Sequence, residues 1–206
     1  MAAYPQGYPG SEASVGGYEV CMMGDVSSVP HHHPFFIPDF ASEFEALPAV
    51  CVRIGRVGKS IPLRFARRYV GAVAPALLMV AVDLLDDLRR KGAPWTQAVV
   101  FDASAPCGEW KPCAEGAGAP DILFSVSGTD ANPAGDEASS DEAARISGDE
   151  ITDRACRLIA SLSRTITLKT GDLFYMAIAA KGIPLRRGMR ISAFSDSSPS
   201  LLTRIR

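Results

Sequence analysis

Val70 to Val82 is the longest apolar run of the chain, thirteen residues that include Gly71 and Pro75. A bilayer-spanning helix needs about 20 apolar residues, and a proline inside a helix removes a backbone donor. The run therefore reads as a buried strand. Other candidates are Phe35–Phe40, Ala49–Gly55, Ala76–Ala81, Ala98–Phe101, Ile122–Val126, Asp172–Ala179 and Arg190–Phe194, punctuated by Gly and Pro. Three helices separate them. Ser60-Ile61-Pro62 opens the first, with Leu63, Ala66, Tyr69, Val70 and Val73 at helical spacing. Asp83 caps the second, and Gly92 and Pro94 end it. Ser147-x-x-Glu150 is a capping box for the third, with Ile151, Ala155, Leu158, Ile159 and Leu162 as its apolar face. The pattern predicts an α+β fold, mainly β.

With 206 residues, the chain has room for one domain. Residues 1–17 are too poor in large aliphatics to join a core and read as a flexible tail, leaving a single domain over 18–206. They lack the basic start and apolar core of a signal peptide. Residues 127–148 read as an acidic surface loop. The net charge of −2 argues against nucleic-acid binding by bulk positive charge and against a polybasic membrane-surface protein. The five cysteines form no CxxC pair and sit mostly among apolar residues, which predicts reduced thiols and a cytoplasmic protein.

Few residues suggest chemistry. His31, His32 and His33 are adjacent, so on an extended segment only His31 and His33 share a side. No carboxylate or cysteine lies at ligand spacing to them, and they read as a polar lead-in. Glu43 and Glu45 would share a strand face and could offer oxygens to Mg²⁺, but they read first as a solvated loop after Pro38-Asp39-Phe40, since acidic residues are mostly exposed. Asp102 ends an apolar run, as a functional carboxylate or as a turn residue. Gly55 to Ser60 has only two residues between its glycines, which does not match a phosphate-binding loop. A metal-free site around His31, His33, Asp102 and Lys181 would need these scattered residues to converge. Trp95 and Trp110 read as core or interface anchors.

An ordered series of short motifs is more specific. Pro34-Phe35-Phe36-Ile37-Pro38-Asp39-Phe40 is followed by Val52 to Pro62 and by Phe65 to Tyr69. Then come Asp83-Leu84-x-Asp86-x-Leu88, Lys91 to Trp95, Phe101-Asp102-x-Ser104-Ala105 and Gly108-Glu109-Trp110. Thr167-Leu168-Lys169-x-Gly171-Asp172 and Arg187-Gly188 close the series. Over residues 34–194 the chain resembles the fumarylacetoacetate hydrolase family in its short single-domain bacterial form. The resemblance implies a mixed β-roll or barrel-like sheet with peripheral helices, usually a homodimer. It implies hydrolysis, decarboxylation or isomerisation of acylpyruvate-like β-keto acids. There, a divalent ion stabilises the developing enolate. In such proteins a Glu-x-Glu pair and a later Asp hold the metal. A Lys, a Gly-Thr-Pro turn and a His–Glu pair on an N-terminal lid complete the site.

On an ungapped count along these motifs, the family's Glu-x-Glu falls on Leu47 and Ala49, and its Asp on Leu78. The Lys falls on Val99, and the Gly-Thr-Pro turn on Ala177-Ile178-Ala179. Leu47, Ala49, Leu78, Val99 and Ile178 would line a former site with no side-chain oxygen, whereas Mg²⁺ takes about six oxygen ligands. The expectation is a degenerate, non-catalytic homologue without a metal, acting as a binding or structural partner. It would form a homo-oligomer, with a small keto acid as a possible ligand. The alternative is an active Mg²⁺- or Mn²⁺-dependent enzyme with a rebuilt site from Glu43, Glu45 and Asp83.

Overall fold

The apolar run is a strand. A computed structural model, which describes residues 1–5, 18–30, 32–113, 118–128 and 141–206, makes it β5 (Val70–Ala81). β5 pairs antiparallel with β4 (Phe44–Ile54), from Phe44↔Ala81 to Ile54↔Val70. The pair is the centre of a mixed sheet. Its order is β2 (Tyr18–Cys21), β1 (Ala2–Pro5), β10 (Leu173–Ala177), β4, β5, β6 (Ala105–Cys107) and β3 (Ser28–Pro30). The short β7 (Lys111–Pro112) and β11 (Ile183–Pro184) add to β5 and β4. The β1–β10 and β3–β6 pairings are parallel. A second, antiparallel sheet runs β13 (Ser198–Arg204), β12 (Arg190–Ser195), β8 (Ile122–Ser127) and β9 (Asp141–Ile146). The fold is α+β, mainly β, as expected, although the large sheet is open between β2 and β3.

Both faces of the large sheet are buried, which explains why β5 is apolar at nearly every position. Val50, Val52, Val73, Leu77, Phe174 and Met176 belong to one core, shared with the second sheet and with α3 (Gly148–Leu162). Leu47, Ala49, Cys51, Ala74, Ala76 and Leu78 belong to the other. Tyr4 from β1, Leu85 from α2 (Val82–Arg90) and Val99 pack into this second core.

Several expectations change. The first helix is one turn, α1 (Leu63–Ala66), followed by a 3-10 turn at Arg67–Tyr69. Val70 and Val73 belong to β5, because sheet pairing outweighs a weak helical spacing. Ser60 is not its cap: it has φ 52° and donates its backbone N–H to Ser163 O. Ala2–Pro5, assigned to the flexible tail, is a sheet strand, and residues 6–17 lie outside the described residues. Within the expected acidic loop 127–148, residues 141–146 form β9, while 129–140 lie outside the described residues. Phe35 makes only an isolated bridge to Ile205, and Pro38, which lacks a donor, follows soon after. Ala98–Phe101 is not a strand, since Thr96–Ala98 is a 3-10 turn. The third helix begins as expected, with the Ser147 hydroxyl accepting from Glu150 N.

Candidate functional site

Strand pairing fixes what the second core holds. Leu47 lies opposite Leu78, Ala49 opposite both Ala76 and Ala177, and Glu45 opposite Val80. Side chains two apart on one strand share a face, so Leu47, Ala49, Leu78 and Ala177 converge. Val99 joins them from the turn after Thr96–Ala98. All five are at most 1 % exposed. Ile178 does not converge with them: it is half-buried against the other core, one residue out of phase with Ala177.

Glu43, Glu45 and Asp83 do not come together as a set of metal ligands. Among the described residues, no group of three His, Cys, Asp or Glu side chains could hold a metal ion. Glu43 is exposed ahead of β4, and Glu45 is half-buried and packs against Gly182. The Asp83 carboxylate is already engaged. It accepts from Ser42 N at 2.8 Å and Leu84 N at 2.9 Å. Slight burial works to raise its pKa, but backbone N–H donors outweigh this and hold it below the usual carboxylate range. His32 and His33 are exposed, as are Asp102 and Lys181, while His31 lies outside the described residues.

The polar groups that do reach this face were not singled out from sequence. Tyr175 alternates with Ala177 on β10, and its hydroxyl meets the Ser28 hydroxyl at 2.5 Å across 147 positions. Cys51 lies opposite Tyr175 on β4 and beside Cys107. Burial pushes the Cys51 thiol well up, and the neighbouring Cys107 adds to it. Burial likewise pushes the Tyr175 phenol well above its usual value, with Cys51 and Cys107 as further causes. At neutral pH these groups stay protonated, so they present no anionic oxygen to a hard cation. Only long-range pairing brings them together, and sequence spacing carries no sign of it. A cleft of about 510 Å³, lined by Ser27, Ser28, Tyr175, Met22 and Met23, opens beside them. Leu47, Ala49, Leu78 and Val99 do not line it.

The fumarylacetoacetate (FAA) hydrolase C-terminal family matches residues 11–177. The chain belongs to the fumarylacetoacetate hydrolase family. It is 32 % identical over 83 residues to the mitochondrial oxaloacetate tautomerase of Rattus norvegicus, a match covering 40 % of this chain and 38 % of that protein. The matched stretch thus spans well under half of that curated relative. A fumarylpyruvate hydrolase from Pseudomonas aeruginosa, solved with Mn²⁺ and pyruvate, is 26 % identical with a TM-score of 0.70. That match covers 87 % of this chain and 75 % of the other. A 5-carboxymethyl-2-hydroxymuconate delta-isomerase from Mycobacterium smegmatis superposes with a TM-score of 0.72 at 16 % identity, covering 99 % and 76 % of the two chains.

Mn²⁺ in the Pseudomonas protein makes a metal the natural test of fit. The side chains of this buried face do not fit one. The buried face offers methyl groups, thiols and two phenols, and an apolar surface disfavours an ion.

Proposed function

We propose that this chain is a fumarylacetoacetate hydrolase-fold protein that has lost the metal-dependent reaction and serves as a binding or structural partner. It would pair with itself or with an active relative, in a reducing, cytoplasmic setting suited to its five free thiols. One observation carries this reading. Leu47, Ala49, Leu78 and Val99, the positions where the resemblance puts two Glu, an Asp and a Lys, form part of one buried apolar cluster. Without the dication and the lysine, nothing at that position stabilises an enolate.

Calorimetric titration with Mn²⁺, followed by assays on oxaloacetate and acylpyruvates, tests the proposal. The expected result is no binding heat and no turnover above buffer. Turnover that depends on Mn²⁺ would overturn it.

A second reading has support from the relatives, whose names are those of a tautomerase, a hydrolase and an isomerase. On it, the chain turns over a keto acid at a site that does not use these positions. The same assay separates the two, because turnover unaffected by EDTA would favour the second.

A further inference from the structure

The net charge of −2 conceals a segregation. From Ala46 to Val82 the chain has six Lys and Arg and no Asp or Glu. From Arg154 to Gly171 it has four more cations and no acid, of which Arg154 and Arg157 pair with Glu150 and Asp153 just upstream and Arg164 and Lys169 do not. The fold brings the two stretches together. Gly58 bridges Leu168, Ser60 N donates to Ser163 O, and Ile61 N donates to Ser163 Oγ. The loop after β4 and α1 therefore sit on the C-terminal end of α3 and the segment that follows it. Among the described residues, Lys59, Arg64, Arg68, Arg164 and Lys169 are exposed and form no salt bridge. The nearest acid in sequence, Asp172, has an oxygen engaged by Lys169 N.

The same surface is unusually apolar. Of the eight large apolar side chains exposed among the described residues, three are on α1 and the loop before it, Val57 at 65 %, Leu63 at 54 % and Phe65 at 37 %, and a fourth, Ile166 at 36 %, follows α3 at the edge of the cleft that Lys169, Asp25 and Asp172 also line. Arg64 and Arg68 each lie over the Phe65 ring, at 4.8 and 5.1 Å from its centroid. The guanidinium groups thus travel with the aromatic side chain as one unit.

We propose that this surface docks on an anionic lipid membrane, with Val57, Leu63, Phe65 and Ile166 entering the headgroup layer. A nucleic acid rewards the cations through its phosphates and gains little from exposed aliphatic side chains. An anionic bilayer rewards both at once. The expectation of no membrane contact, taken from net charge, fails on this reading because the charge is not spread evenly. The inference does not depend on whether the second core is catalytically silent.

The test is co-sedimentation of the full chain with vesicles of phosphatidylcholine alone and of phosphatidylcholine with phosphatidylglycerol, at low and physiological salt. Binding is expected only to the anionic vesicles, falling as salt rises. Arg64→Ser with Arg68→Ser should weaken it about 25-fold, at about fivefold per cation. Val57→Ser with Leu63→Ser should weaken it at least about fivefold. These side chains are exposed, and unchanged melting curves verify that the variants fold. No binding to anionic vesicles, equal binding to neutral ones, or binding untouched by the apolar variants would each overturn the proposal.

Discussion

Leu78→Asp tests whether the buried face is as dry as it is drawn. Leu78 is fully buried opposite Leu47, with only apolar neighbours, thiols and two phenols in its core. Removing the leucine methyls alone, as in Leu78→Ala, should cost about 3 kcal/mol. The aspartate adds a carboxyl without a cation, which stays protonated rather than ionise in that setting. Its folded pKa is then raised, so its contribution is intact below the unfolded value of about 3.9 and is lost as pH rises through it. Between pH 5 and pH 7 the added loss is about 2.7 kcal/mol, at 1.36 kcal/mol per unit. Urea unfolding of both variants at the two pH values measures it. Leu78→Ala should lose the same amount at each. Leu78→Asp should be about 2.7 kcal/mol worse at pH 7, or unfolded there and folded at pH 5. An equal loss at both would mean that water or a cation reaches the carboxylate, and the dry-face argument would be wrong.

Other outcomes follow from single contacts. Ser147→Ala removes the acceptor for Glu150 N and should lower stability by about 1 kcal/mol in denaturant unfolding. Gly148→Ala at the first helical position gains at most about 0.4–1 kcal/mol from a less free unfolded chain, but its Cβ would sit 1.8 Å from Ala119 O. The clash should win, giving a net loss of about 1–2 kcal/mol. Burial raises the thiols of Cys21, Cys51, Cys113 and Cys156 and the phenols of Tyr18 and Tyr175. Their stabilisation is full below the unfolded thiol value of about 8.5 and is lost above it, so Tm should fall between pH 8 and pH 10. Cys51→Ala should flatten that fall. Finally, EDTA should leave Tm unchanged, whereas a metal held at 100 times its Kd would add about 2.7 kcal/mol, or about 5–10 °C.

The strands of the large sheet were legible where an apolar run meets Gly or Pro, as in β4, β5 and β10. Legibility failed where local pattern and pairing compete. Leu63 to Val73 carries helical spacing, yet β5 claims its last four residues through twelve positions of sheet. Ala2–Pro5 has no strong strand pattern and is a strand because β10 and β2 flank it. At the candidate site, the shared facing of Leu47, Ala49 and Leu78 could be counted from motif to motif. Ile178 could not, because one residue of phase turns it to the other core. Tyr175, Ser28, Cys51 and Cys107 were invisible because nothing in local spacing couples positions so far apart.

On the proposed reading, the loss of the metal and the loss of its carboxylates are physically one event. Three carboxylates left on a buried face without a dication would repel one another and remain desolvated. Each would either draw in water or rise in pKa until it protonated. Leucine and alanine remove the repulsion and the desolvation together, and they let α2 and the Thr96–Ala98 turn close over the sheet. Once closed, that face has little left to offer a soluble substrate. Any retained role then falls to the outside of the molecule, where the cations are concentrated on the loop and helix ends beside α3.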